Sequence, residues 1–146
     1  MQERKGNLWD LLGIVDAICI TTNGVRKKDD SLVMGAGIAK DAVCRFPGIQ
    51  YILGRKVSEK GNIPHIAWEE AGTSIVSFPT KINWKLSSSL NLIRNSCLNL
   101  EVMANANKWE NIALPRPGCG YGGLQWIDVK RHIEPYLDER FIICSK

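Results

Sequence analysis

The chain has 146 residues, of which 45% are hydrophobic and 23% charged, with a formal net charge of +4. One folded domain of that size buries enough surface to need no metal or disulfide staple, and the composition excludes disordered, collagenous and membrane-spanning classes. The mild positive balance suits an anionic small ligand or a brief nucleic-acid contact, and is too weak for stable binding of duplex DNA.

The longest nearly apolar stretch, residues 11–20, is broken by Asp16 and falls far short of a membrane span. The first residues lead into no apolar signal core, so no secretory signal is expected. Cys19, Cys44, Cys97, Cys119 and Cys144 are odd in number and contain no C-x-x-C pair. A reducing cytoplasmic setting follows, with at least four of the five read as small buried hydrophobes.

In chain order, residues 14–22 are β-branched and almost continuously apolar, the pattern of a strand covered on both faces. Residues 23–31 carry mixed charge without periodicity and form a solvated, hairpin-like excursion. A helix is predicted over 37–45, where Ile38, Ala39, Ala42 and Val43 share one face before Phe46-Pro47-Gly48 ends it; a second covers 49–60. Strands follow at 63–68 and 73–78 around an acidic turn. The serine run 87–89 caps a helix whose Leu90, Ile93, Cys97, Leu100 and Ala104 step by three and four. A strand at 111–114, a helix over 126–137 that must tolerate or end near Pro135, and a strand at 141–144 complete the chain. Strands alternating with helices predict one α/β domain over residues 1–146, layered α/β/α.

Two glycine segments carry the functional signal. Gly35-Ala36-Gly37-Ile38-Ala39 opens a helix, where free N–H groups and close backbone approach favour an anion. Pro117-Gly118-Cys119-Gly120-Tyr121-Gly122-Gly123 lies between a strand and a helix and supplies N–H groups for a phosphate cradle. The second also satisfies the spacing of a dinucleotide fingerprint, but too little chain follows it to complete that unit. Two such loops would converge at the carboxyl edge of one sheet.

Together with Gly6-Asn7-Leu8, Thr21-Thr22-Asn23, Phe78-Pro79-Thr80-Lys81 and the run from Gly118 to Trp126, these loops resemble a macro domain over nearly the whole chain. The branch with the terminal ADP-ribose glycohydrolases and the antitoxins that strip ADP-ribose from DNA is the most similar, since there too Phe-Pro-Thr-Lys is followed by a tryptophan and a helix. The resemblance implies a central mixed sheet, ADP-ribose as the ligand, and no metal or further cofactor. It implies that Asn7 and Leu8 meet adenine, with the Asn7 carbonyl accepting from the amino group. Thr22, Asn23 and the first glycine loop would line the distal ribose and diphosphate. Thr80 would border them, and residues 117–123 would wrap the phosphates.

Lys81 matches the lysine on which the glycohydrolase branch depends. It would either attack the anomeric carbon or, protonated, stabilise the departing group. One subgroup has an acidic residue two positions after Gly-Cys-Gly. Here that position is Gly122, as in the antitoxin-like proteins, so a proton shuttle must come from elsewhere or from water.

The implied activity is removal of ADP-ribose from a DNA base or protein carboxylate. The alternatives are phosphatase action on ADP-ribose 1″-phosphate, or binding without turnover. ADP-ribosylated DNA or protein is the expected partner, and a monomer is expected. Cys119 would have its thiol pKa lowered by nearby N–H groups but lacks a partner histidine. Tyr121 would cover the ribose, stack on a base or lie exposed. Trp84 and Trp126 are read as packing residues rather than base-stacking platforms, and His65 and His132 as satisfied or surface groups.

Overall fold

The structure is a computed structural model and describes residues 1–146. Six strands, β1 (Gln2–Lys5), β2 (Ala17–Thr22), β3 (Ile66–Glu70), β4 (Thr73–Pro79), β5 (Ile112–Pro115) and β6 (Phe141–Ser145), form one sheet. Their order is β1-β6-β5-β2-β4-β3, parallel throughout except for β3, which pairs antiparallel with β4. Helices α1 (Gly37–Arg45) and α2 (Ile49–Lys60) cover one face; α3 (Leu90–Asn107) and α4 (Trp126–Ile133) cover the other. This is the expected three-layer α/β/α arrangement with a mixed sheet.

Alternation along the strands divides the core. In β2, Ile18 and Ile20 face the α1–α2 side, whereas Ala17 and Cys19 face α3 and α4. The same division holds in β6, with Ile142 and Cys144 on one side and Phe141 and Ile143 on the other. Since both faces are apolar, β2 and β6 read as unbroken hydrophobic runs.

Several boundaries differ from the expectations. The strand expected from residue 14 begins at Ala17 as β2, because residues 12–16 form a turn in which Asp16 Oδ2 accepts from the N–H groups of Glu110 and Asn111. The 63–68 strand is displaced to Ile66–Glu70, where Ala71 (φ 51°) and Gly72 (φ 83°) make a tight hairpin turn. The last helix ends at Ile133 and passes into a 3₁₀ turn containing Pro135, whose ring cannot continue it.

β1 was not expected at all. All four of its residues are exposed and polar, so no apolar alternation marks them. The strand is held by main-chain pairing with β6, while Glu3 accepts from Lys130 Nζ at 2.8 Å and from Trp126 Nε1 at 3.0 Å. A charged edge strand also discourages pairing with other chains.

Cys19, Cys97 and Cys144 are buried, Cys119 is half-buried and Cys44 is exposed, so three rather than four are fully packed hydrophobes. No helix is long and apolar enough to cross a membrane.

Candidate functional site

The parallel strands end at one edge of the sheet, and the segments that follow them meet there. Gly6 and Asn7 follow β1, Asn23 follows β2, Thr80 and Lys81 follow β4, and the second glycine loop follows β5. The parallel register brings Thr22 opposite Pro79, and the Thr22 carbonyl accepts from the N–H groups of Thr80 and Lys81 at 3.0 and 3.4 Å. Asn23 and Lys81 therefore leave adjacent strands side by side.

Between these segments lies an open cleft of about 1310 Å³. Asn7, Leu8, Thr22, Asn23, Thr80 and Lys81 line it, together with Gly35, Ala36, Gly37, Ile38 and Ala39 of the first glycine loop. The second loop contributes Gly118, Gly120, Tyr121 and Gly122. Pro117, Cys119 and Gly123 were expected in the binding wall and do not line it. Pro117 is buried, and Cys119 packs against the α3–α4 core with Sγ turned to the Pro117 carbonyl. Burial pushes the Cys119 thiol pKa up, against a smaller lowering by Arg116, reversing the expected depression.

The two loops touch. Gly37 has φ 57°, and a Cβ there would stand 3.4 Å from Cδ2 of the Tyr121 ring. Glycine thus supplies both the left-handed backbone that starts α1 and the space for the ring. In the second loop, a Cβ on Gly122 would fall 2.3 Å from the Gly118 carbonyl oxygen and 2.3 Å from Ser88 Oγ. No other residue fits without moving the loop. The N–H groups of Gly120, Tyr121 and Gly122, and those of Gly35 to Ala39, make no hydrogen bond within the chain. They offer donors to an anion from two directions.

Charge agrees with that geometry. Lys40, Arg45, Lys81, Arg116 and Lys146 line the cleft, against the single carboxylate of Asp41. Nowhere does the structure gather three or more His, Cys, Asp or Glu side chains that could hold a metal ion.

The polar side chains are partly committed. Asn7 Oδ1 accepts from Trp9 N–H at 3.0 Å and caps the 3₁₀ turn Leu8–Leu11, leaving one lone-pair direction for a ligand. Asn23 is buried. Its Oδ1 accepts from Val25 N–H and its Nδ2 donates to the Val33 carbonyl, both at 2.8 Å, so it closes the 23–33 excursion and keeps one N–H for the cleft. Lys81 Nζ donates to the Tyr121 carbonyl at 3.1 Å and to the Trp84 carbonyl at 3.4 Å.

Sequence reasoning missed Ser88. Within the serine run only Ser89 caps α3, its Oγ accepting from Leu92 N–H at 3.2 Å. Ser88 is buried at the cleft wall, donates its N–H to the Gly122 carbonyl, and has an Oγ without a partner in the chain. Three like residues in a row hide which one serves the loop.

Trp84 was expected to pack, but it is 49% exposed at the cleft mouth because the short turn after Lys81 stands clear of both helical layers. Trp126 does pack, bonded to Glu3 with the Arg116 guanidinium 5.1 Å from its ring centroid. Tyr121 is 80% exposed. His65 is buried with Nε2 at 2.9 Å from the Gly61 carbonyl, and His132 is exposed on α4. Neither approaches the cleft.

No family model matches the chain. The DNA ADP-ribosyl glycohydrolase of Thermus aquaticus is 31% identical over 141 residues, which is 92% of this chain and 37% of that protein. The macrodomain of Mycobacterium tuberculosis DarG superposes with a TM-score of 0.77 at 26% identity, covering 99% of this chain and 97% of that one.

The chain is a macrodomain.

A further solved structure, Thermosipho africanus DarTG in complex with ADP-ribose, shares the fold with a TM-score of 0.76 at 22% identity and covers 98% of this chain and 41% of that one. The macrodomain described here thus spans under half the length of the T. aquaticus and T. africanus proteins.

Proposed function

We propose that this macrodomain binds ADP-ribose across the cleft and releases it from a modified DNA base. The diphosphate sits between the two glycine loops, held by main-chain N–H groups and drawn in by a cationic lining. Adenine lies at the Asn7 end, and the distal ribose lies toward Asn23 and Lys81. The names of the relatives support this reading, as does the ADP-ribose bound in the T. africanus protein.

The observation that carries the reading is the position of Lys81 Nζ, directed at the Tyr121 carbonyl of the phosphate loop from the neighbouring strand end. Two of its hydrogens are directed at main-chain oxygens, and the remaining position on nitrogen is free for the anomeric centre. Protonated, it donates to the departing base as the C1″ bond breaks and water supplies the new C1″–oxygen bond. Unprotonated, it attacks C1″ as the C1″–base bond breaks, and the base leaves with that electron pair, taking up the proton the new C1″–nitrogen bond releases. The glycosylamine opens to an imine, and water hydrolyses it to free ADP-ribose and the amine. No carboxylate stands on the second loop, so water takes part in either route.

The test is incubation of the protein with an oligonucleotide carrying ADP-ribose on one base. Wild type should release ADP-ribose, and Lys81→Ala should slow release by about 100-fold or more while retaining affinity for free ADP-ribose. Borohydride trapping of a covalent adduct would identify direct attack. Absence of release at high protein concentration, with ADP-ribose still bound, would leave a binding module and contradict the proposed activity.

A further inference from the structure

The cleft mouth carries an aromatic group that neither the sugar–diphosphate cradle nor the hydrophobic core uses. Trp84 is 49% exposed with no hydrogen bond from its indole Nε1, whereas Trp9 and Trp109 are buried and Trp68 and Trp126 each donate to a carboxylate. Its main-chain oxygen accepts from Lys81 Nζ at 3.4 Å, so the turn that carries Trp84 adjoins the amine assigned to the reacting carbon, and both residues line the cleft. On the other side of that amine, its second acceptor belongs to Tyr121, whose ring is also exposed. Ile82 and Leu86 add 67% and 58% exposed apolar surface to the same turn.

Charge narrows what such a surface takes. Residues 80–90 contain Lys81 and Lys85 and no carboxylate, and Lys85 Nζ lies 5.3 Å from the Trp84 ring centroid. A flat aromatic face edged by ammonium groups fits a nucleobase and its flanking phosphates. A neutral apolar peptide segment would use the apolar surface but leave the cations unanswered, whereas a nucleotide brings a flat base and a phosphate together.

We propose that Trp84 is the platform on which the departing base of an ADP-ribosylated single DNA strand stacks, with Lys85 meeting the adjacent phosphate. The proposal rests on the reading of the cleft as a site that removes ADP-ribose from DNA, and it adds a specificity-determining residue outside the diphosphate cradle. Stacking holds the base in line with Lys81 while the C1″ bond breaks.

The experiment compares wild type, Trp84→Ala and Trp84→Phe in two measurements. One is KM and kcat on a single-stranded oligonucleotide bearing ADP-ribose on a base; the other is calorimetric Kd for free ADP-ribose. Loss of one base–aromatic stack should raise the oligonucleotide KM about tenfold in Trp84→Ala. The Kd for ADP-ribose should move less than about twofold, and Trp84→Phe should restore most of the KM. An ADP-ribosylated peptide has no nucleobase as its leaving group and should show no Trp84 dependence. Equal weakening of oligonucleotide and free ADP-ribose would overturn the proposal by making Trp84 a wall of the cradle. An unchanged oligonucleotide KM, or equal Trp84 dependence with the peptide, would overturn it too. If wild type releases nothing, the activity fails separately; the Kd of the intact conjugate then decides the stacking by the same tenfold criterion.

Discussion

Lys81 and Tyr121 are 40 positions apart in sequence and joined by one hydrogen bond, Nζ to the main-chain oxygen at 3.1 Å. That bond ties the end of β4 to the second glycine loop. The Tyr121 ring, in turn, lies against Gly37 at the start of α1. Three segments that are separate along the chain are thereby fixed around one space, with an amine at its edge.

The second loop tolerates side chains unequally. A Cβ at Gly120 would meet nothing within 4 Å, whereas one at Gly122 would collide with the Gly118 carbonyl and Ser88 Oγ. Gly120→Ala should leave unfolding free energy within about 0.5 kcal/mol of wild type. Gly122→Ala should cost about 1–3 kcal/mol and weaken ADP-ribose binding about tenfold or more, because the loop must move. Denaturant melts and calorimetry on the two variants would check the contrast.

The end of β4 is pinned from the α3 side. Ser96 Oγ donates to the Pro79 carbonyl at 2.7 Å in a fully packed environment. Ser96→Ala leaves that oxygen without a donor and should cost about 1–3 kcal/mol in a urea melt. Since Pro79 lies two residues before Lys81, turnover should also fall in the variant; Ser96→Thr should retain the bond and recover part of both.

His65 gives the stability a pH dependence of known sign. Burial holds its pKa below the ordinary 6.5, opposed by the bond to the Gly61 carbonyl and reinforced by Lys56 and Lys60. Above that value the ring is neutral in folded and unfolded chains alike. As pH falls below about 6.5, the unfolded chain takes up a proton that the folded chain resists, so stability declines until the folded pKa is passed. Melts between pH 7.5 and 5 should show that decline, and His65→Gln should flatten it.

Much of this architecture was legible in the residues. Ile18 and Ile20, alternating with Ala17 and Cys19, announced a strand covered on both faces, and the 3–4 spacing behind Ser89 gave α3 with its cap. Both signals arise from burial, which acts on side chains. β1 gave no such signal because its pairing is main-chain and its side chains answer to α4, a partner near the other end of the sequence. The glycine loops were recognisable as a pair, since only glycine fits where Gly37 and Gly122 stand. What could not be read was the apportioning of polar groups. Asn23 spends two hydrogen bonds on its own loop, Ser88 rather than Ser89 meets Gly122, and Trp84 stands free of the core. Those facts depend on distances between segments that sequence spacing does not contain.

Both glycine loops should grip one diphosphate at once, and thermal melts with ADP-ribose and with AMP test this most directly. At about 100 times its Kd, ADP-ribose should stabilise the protein by about 2.7 kcal/mol, an increase in Tm of about 5–10 °C, whereas AMP at the same concentration should give a small fraction of that shift. Equal shifts from the two ligands, or none from ADP-ribose, would contradict a cleft that spans the diphosphate and the distal ribose.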